Sequence, residues 1–149
     1  MKHVTTAETI GLDTARTLIH AARREAETRE TRMNIAVVSH EGHLIAFEKM
    51  DGAWLASIDI AIDKAFTAVS LQTETASLAE ATQPGGSLYG LNTTNDGRLV
   101  VFGGGIPLMR DGTVVGAIGV SGSTVEDDVA VARAGADAFS SGSADARDR

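Results

Sequence analysis

Lysine is scarce in this chain, and the two lysines in its body invite the first chemical question. The 13 basic residues comprise ten Arg and three Lys; Lys2 lies in the N-terminal lead, which leaves Lys49 and Lys64. An ammonium can do what a guanidinium cannot: it loses its proton when desolvated and offers a compact charge to one anionic group. Lys49 opens the run Lys49-Met50-Asp51-Gly52-Ala53. A cation and a carboxylate two residues apart, beside glycine, suit a polar ligand pocket. They suit equally a charged strand edge followed by an ordinary turn. Lys64 stands at helical spacing among Ser57, Ala61 and Ala68. It reads as an anion-binding group or base, or as an ion-paired lysine with its stem along apolar surface. Two glycine-rich runs complete the set: Gly103-Gly104-Gly105-Ile106-Pro107 and Gly119-Val120-Ser121-Gly122-Ser123-Thr124. The second leads from a strand into a helix start, where free amides favour a carboxylate or phosphate. The candidate ligand-binding residues are therefore Lys49, Met50, Gly104, Pro107, Ser121 and Gly122, with Asp51 and Lys64 as candidate catalytic groups.

Other patterns fail on geometry. His40-Glu41-Gly42-His43 is one residue short of the zinc-protease HExxH, which needs two histidines one helical turn apart. Here a glycine turn between strands separates them, so His40 and His43 read as solvated turn residues or as adventitious ligands. No metal site is read. Gly103-Gly104-Gly105 opens no helix and is followed by Pro107, against a dinucleotide fingerprint.

The elements that must position these residues follow from periodicity. Leu12, Ala15, Ile19, Ala22 and Ala26 form one apolar stripe of a first helix ending near Glu30, with Thr5-x-x-Glu8 at capping-box spacing before it. His20 lies at the edge of that stripe. Asn34–Ser39 and Leu44–Lys49 read as strands of a hairpin turning at Gly42. A second helix spans Ala56 to Leu71. Its bulky stripe, Leu55, Ile58, Ile62, Ala65, Phe66 and Val69, is expected in the core. Its small stripe, Ser57, Ala61, Lys64 and Ala68, is expected against a partner subunit. Asp59, Asp63 and Thr67 should face water. A short helix follows Thr75, then a long irregular stretch. Leu99–Phe102, Ile106–Arg110 and Thr113–Ser121 read as strands, the last two joined by the hairpin signal Asp111-Gly112. Ser123-x-x-Glu126 caps a final helix. The order predicts an α+β domain over residues 1–139, about five mainly antiparallel strands with packed helices, and a disordered polar tail over 140–149.

Composition excludes several classes. Twenty acidic residues against 13 basic give a net charge of −7, against sequence-independent nucleic-acid binding. There are no cysteines, so thiolate chemistry is absent. Six aromatics are too few for a base-stacking platform. No apolar run approaches the roughly 20 residues that span a bilayer, so no membrane role and a cytoplasmic location are expected.

The blocks NIAVVSHEGHLIAFEKMDGA, SIDIAIDKAFTA and GGGIPLMRDGTVVGAIGVSGSTVEDDVAVARAGADAF resemble the GlcG/HbpS-like haem-degrading domain family, which includes the C-terminal domain of PduO-type proteins. Motif positions match at Met50 to Ala53, Lys64, Ala65, Gly104, Pro107 and Gly116 to Gly122. The chain departs from the family pattern in Lys49, where Arg is frequent, and in Ser39, where Asp is frequent. The resemblance implies a profilin-like α/β sandwich with a five-stranded antiparallel sheet, homo-oligomers up to octamers, and haem as the leading cofactor. The shared motifs contain no haem ligand. His20 is the first candidate, combining a helix position with an apolar edge, and His40 and His43 follow. Three readings stand: a haem- or small-ligand-binding homo-oligomer; an enzyme or accessory protein of small carboxylate or carbonyl catabolism, where a lysine holds the carboxylate and Asp51 moves a proton; and a structural accessory subunit.

Overall fold

The computed structural model describes residues 3–147. Helix α1 (Leu12–Thr28) leads into a hairpin of β1 (Asn34–Ser39) and β2 (Leu44–Lys49). Helix α2 (Ala56–Leu71) follows, then three short 3-10 turns between Thr75 and Gly97. A second hairpin, β3 (Gly105–Arg110) and β4 (Thr113–Ser121), precedes α3 (Val125–Arg147). The strands form one antiparallel sheet in the order β2-β1-β4-β3. Every residue of β1 is buried, as its apolar sequence NIAVVS requires of a central strand. Helices α1 and α3 cover one face around Leu18, Ile35, Ile118 and Val131, and α2 covers the other around Val38, Ala65, Ala68 and Ala117.

The β1–β2 and β3–β4 hairpins form as expected. Asp111 and Gly112 both take positive φ, 51° and 79°, as a two-residue hairpin turn demands. The sheet, however, has four strands among the described residues rather than five. Leu99–Phe102 forms no ladder, because the amide of Val100 donates to the Thr67 hydroxyl at 2.9 Å. Thr67 is accordingly buried rather than water-facing, and its hydroxyl also donates to the Asp63 carbonyl at 2.7 Å.

Two caps differ from expectation. Thr5 and Glu8 start no helix: the lead forms no regular element, Ile10 N–H donates to the Val115 carbonyl at 3.1 Å, and α1 begins after Gly11. At α3, Thr124 rather than Ser123 accepts the Asp127 amide, at 3.1 Å. Helix α3 continues through 140–147, the stretch read as a polar tail; residues 148 and 149 lie outside the described residues, as do Met1 and Lys2.

The largest correction concerns α2. Its small stripe packs on the sheet: Ser57, Ala61, Lys64 and Ala68 are all buried within the chain, which leaves them no surface to offer a partner subunit. Of the bulky stripe, Ala65 and Val69 are buried as expected, but Leu55 is 81% exposed and Ile58, Ile62 and Phe66 are half-buried. The reason lies in the sheet. Gly105 and Gly119 are register partners directly beneath the helix. A Cβ on Gly119 would sit 2.1 Å from the Ala61 carbonyl oxygen, and one on Gly105 2.4 Å from that of Lys64. The helix backbone rests on glycine, and only small side chains fit between.

Candidate functional site

The candidate residues separate into two polar centres. The first is buried. Lys64 leaves the small face of α2 and points at the end of β4, where its ammonium donates to the Val120 carbonyl at 2.9 Å and to Asp128 Oδ2 at 2.9 Å. The Phe102 ring lies 4.9 Å away as a cation–π neighbour. Asp128 in turn accepts the Ser123 amide at 3.0 Å. Burial pushes the Lys64 ammonium below its ordinary pKa, with Asp128 opposing, and pushes the Asp128 carboxyl up, with Lys64 opposing. Gly104 closes over the pair: its φ is +130°, and a Cβ there would lie 2.7 Å from the ammonium nitrogen. Ser121 is buried at the end of the same strand. This centre ties α2, β4 and α3 together without exposing an amine to solvent.

The second centre is open. A groove of about 880 Å³ runs between the C-terminal part of α1 and the end of β2, with Arg23, Glu30 and Arg32 on one wall and Lys49, Met50 and Asp51 on the other. A smaller cavity of about 390 Å³ continues past Arg32 and Gly52 to Trp54, Gly122 and Ser123. Arg32 lies across the turn at Gly52, where a Cβ would stand 2.6 Å from its Nη1. Met50 is held from below, its sulfur accepting the Met33 amide at 3.3 Å. Arg23 Nη1 sits 3.1 Å from Glu48 Oε1 as an ion pair.

Lys49 and Asp51 thus share a concave site, and Lys64 does not join them. Lys49 ends β2 at the sheet edge, while Lys64 addresses β4, two strands away in the order β2-β1-β4. Gly122 lines the smaller cavity, whereas Pro107 sits half-buried in the edge strand β3, beside a different cavity. Arg32 was missed by sequence reasoning; its only signal was an arginine two residues before β1, and nothing in that position announces a groove. Asp128 was also missed, since as the fourth residue of a capped helix, in its first turn, it reads as a dipole-favoured surface carboxylate.

The histidines scatter. His20 is exposed on α1, with Nδ1 3.0 Å from Arg23 Nη2. His40 Nδ1 lies 2.9 Å from the Val114 carbonyl in the β1–β2 turn, and His43 is exposed there. Among the described residues no group of three or more His, Asp or Glu is placed to hold a metal ion.

A family model described as haem degrading protein HbpS-like matches residues 10–137. The chain belongs to the HbpS-like family. An uncharacterized 15.0 kDa protein of the dhaT-dhaS intergenic region in Citrobacter freundii is 42% identical over 132 residues, 89% of this chain and 93% of that relative. The crystal structure of Klebsiella pneumoniae protein ORFY superposes with a TM-score of 0.91 at 38% identity, covering 94% of this chain and 97% of that one. A PduOC:heme complex superposes with a TM-score of 0.84 at 35% identity, covering 87% and 94%. This HbpS-like chain therefore has a relative solved with haem. Among its described residues no helix is long and apolar enough to cross a membrane.

Proposed function

We propose that this HbpS-like protein binds haem, with His20 as the iron ligand. The observation that carries the reading is the face around His20. Arg16 and Arg24 flank it one helical turn on either side, and all three residues are exposed. In a chain of net charge −7, that cluster offers an imidazole for iron and guanidiniums for two propionates. The haem complex of a relative at 35% identity supports haem as the bound group. Haem, when bound, supplies a redox-active iron; the chain supplies the imidazole and the anion-holding arginines. This face is poor in apolar side chains, and a second subunit packed over α1 supplies the missing wall, in keeping with the homo-oligomers, up to octamers, that the family resemblance implies. Hemin titration tests the proposal. A Soret band saturating near one hemin per chain is expected, and it shifts or disappears in His20→Ala. An unchanged His20→Ala spectrum removes His20, and the absence of any saturable band removes haem. Decay of that band under a mild reductant is the expected sign of haem breakdown.

The open groove favours a second reading, a small carboxylate ligand. Neither Lys49 nor Arg32 has an ion-pair partner among the described residues, and both face the groove. They hold the carboxylate, with Asp51 beside Lys49 as the proton-transfer group. Lys64 takes no part, being sealed against Asp128.

A further inference from the structure

Arg23 makes three contacts that together bear on His20. Its Nη2 is 3.0 Å from His20 Nδ1, its Nη1 is 3.1 Å from Glu48 Oε1, and its Nε is 3.9 Å from Glu27 Oε1. A guanidinium has donors and no acceptor. The hydrogen bond to His20 therefore runs from Arg23 to the imidazole, and Nδ1 uses its lone pair to accept it. A ring that accepts at Nδ1 carries its proton on Nε2. Both nitrogens are then closed to iron, one by the guanidinium and the other by its own proton. Histidines that bind metal show the opposite arrangement: the non-ligating nitrogen carries the proton and donates it to a carbonyl or carboxylate, leaving the other lone pair free.

We infer that Arg23 masks His20 in the free protein and is a positioning residue that regulates ligation at this site; the inference rests on the haem reading above. Unmasking needs one movement. Arg23 withdraws from Nδ1, a proton from water occupies Nδ1, and the Nε2 proton passes to water, so the ring changes tautomer with no net gain or loss of protons. The withdrawing guanidinium has carboxylates waiting, Glu48 at the groove wall and Glu27 one turn along α1. The contact to be broken joins side chains that are both partly open to water, so the mask is weak enough to yield to a ligand and strong enough to bias the ring.

Two variants with opposite expected signs test this. Arg23→Met keeps the length of the side chain without a donor, and Glu48→Gln removes the carboxylate that competes with His20 for Arg23. The first readout uses the chain without haem: nitrogen NMR of the His20 ring. The Nε2–H tautomer should dominate in the wild type, and Arg23→Met should shift the ring towards a mixture. The second readout is hemin affinity. Arg23→Met should tighten binding about three- to tenfold, the size of one ordinary net hydrogen bond, and Glu48→Gln should weaken it. A wild-type His20 already in the Nδ1–H form overturns the mask. So does unchanged affinity in Arg23→Met while hemin still ligates through His20; the haem reading then survives alone. If hemin binds neither the wild type nor Arg23→Met, the haem reading falls and the regulatory role of Arg23 falls with it.

Discussion

Lys49 and Lys64 are alike as sequence and unlike as structure. Both are rare ammonium groups in an arginine-rich chain, and both qualify as anion-binding groups. Lys64 is fully buried and has its carboxylate supplied by the chain, Asp128, together with a carbonyl and an aromatic ring. Lys49 is exposed in a groove, 2 residues from Asp51, and has no ion-pair partner among the described residues. The contrast teaches that a lysine's scarcity says nothing about its access to a ligand. What decides is whether the fold brings a counter-ion to it before a ligand can.

The sharpest way to break the contrast is to take the counter-ion from Lys64. Asp128→Ala leaves a buried ammonium uncompensated and should cost about 3–5 kcal/mol in urea unfolding. Lys64→Met combined with Asp128→Leu should cost less than Asp128→Ala alone, because no charge is then stranded. A loss below about 1 kcal/mol for Asp128→Ala would mean that Lys64 reaches water and behaves like Lys49. Next in size is the floor beneath the buried lysine. Gly119→Ala forces α2 off the sheet at Ala61, and overpacking of this kind should cost about 1–3 kcal/mol. A variant as stable as the wild type would show that the helix backbone has room to retreat. The smallest stability effect belongs to the groove. Lys49→Met should change unfolding stability by no more than about 0.5 kcal/mol. It should nevertheless weaken binding of a small dicarboxylate, with succinate as the calorimetric probe, about tenfold. Succinate affinity equal in both proteins would remove Lys49 from ligand binding.

Much of the fold was legible because its periodicities are local. The bounds of β1, β2 and α2 follow from runs of β-branched residues, turn glycines and helical spacing, and the structure has them at the expected residues. The absence of a fifth strand was not legible, since the segment Leu99–Phe102 has strand composition. Its pairing amide is taken by a hydroxyl of a distant helix, which composition cannot reveal. In the site, Lys49, Met50 and Asp51 were legible as a strand-end cluster, whereas Arg32 and Asp128 were not. Arg32 belongs to the groove through the turn at Gly52, 20 residues away in sequence, and Asp128 meets Lys64 from 64 residues away.

The sequence by itself determined the α+β class, the two hairpins, the helices and the kinship with the HbpS-like family, all of which rest on short-range patterns and ordered motifs. Only the tertiary structure decided which face of α2 is the inside. By size alone the bulky stripe belongs in the core, yet only its Ala65 and Val69 are buried, beside the whole of the small stripe. The reason is that burial depends on the surface opposite as well as on the helix. Two glycines paired across β3 and β4 let a helix backbone settle onto the sheet, and that close approach admits alanines, a serine and one lysine with its own carboxylate, while it turns Leu55 out to solvent.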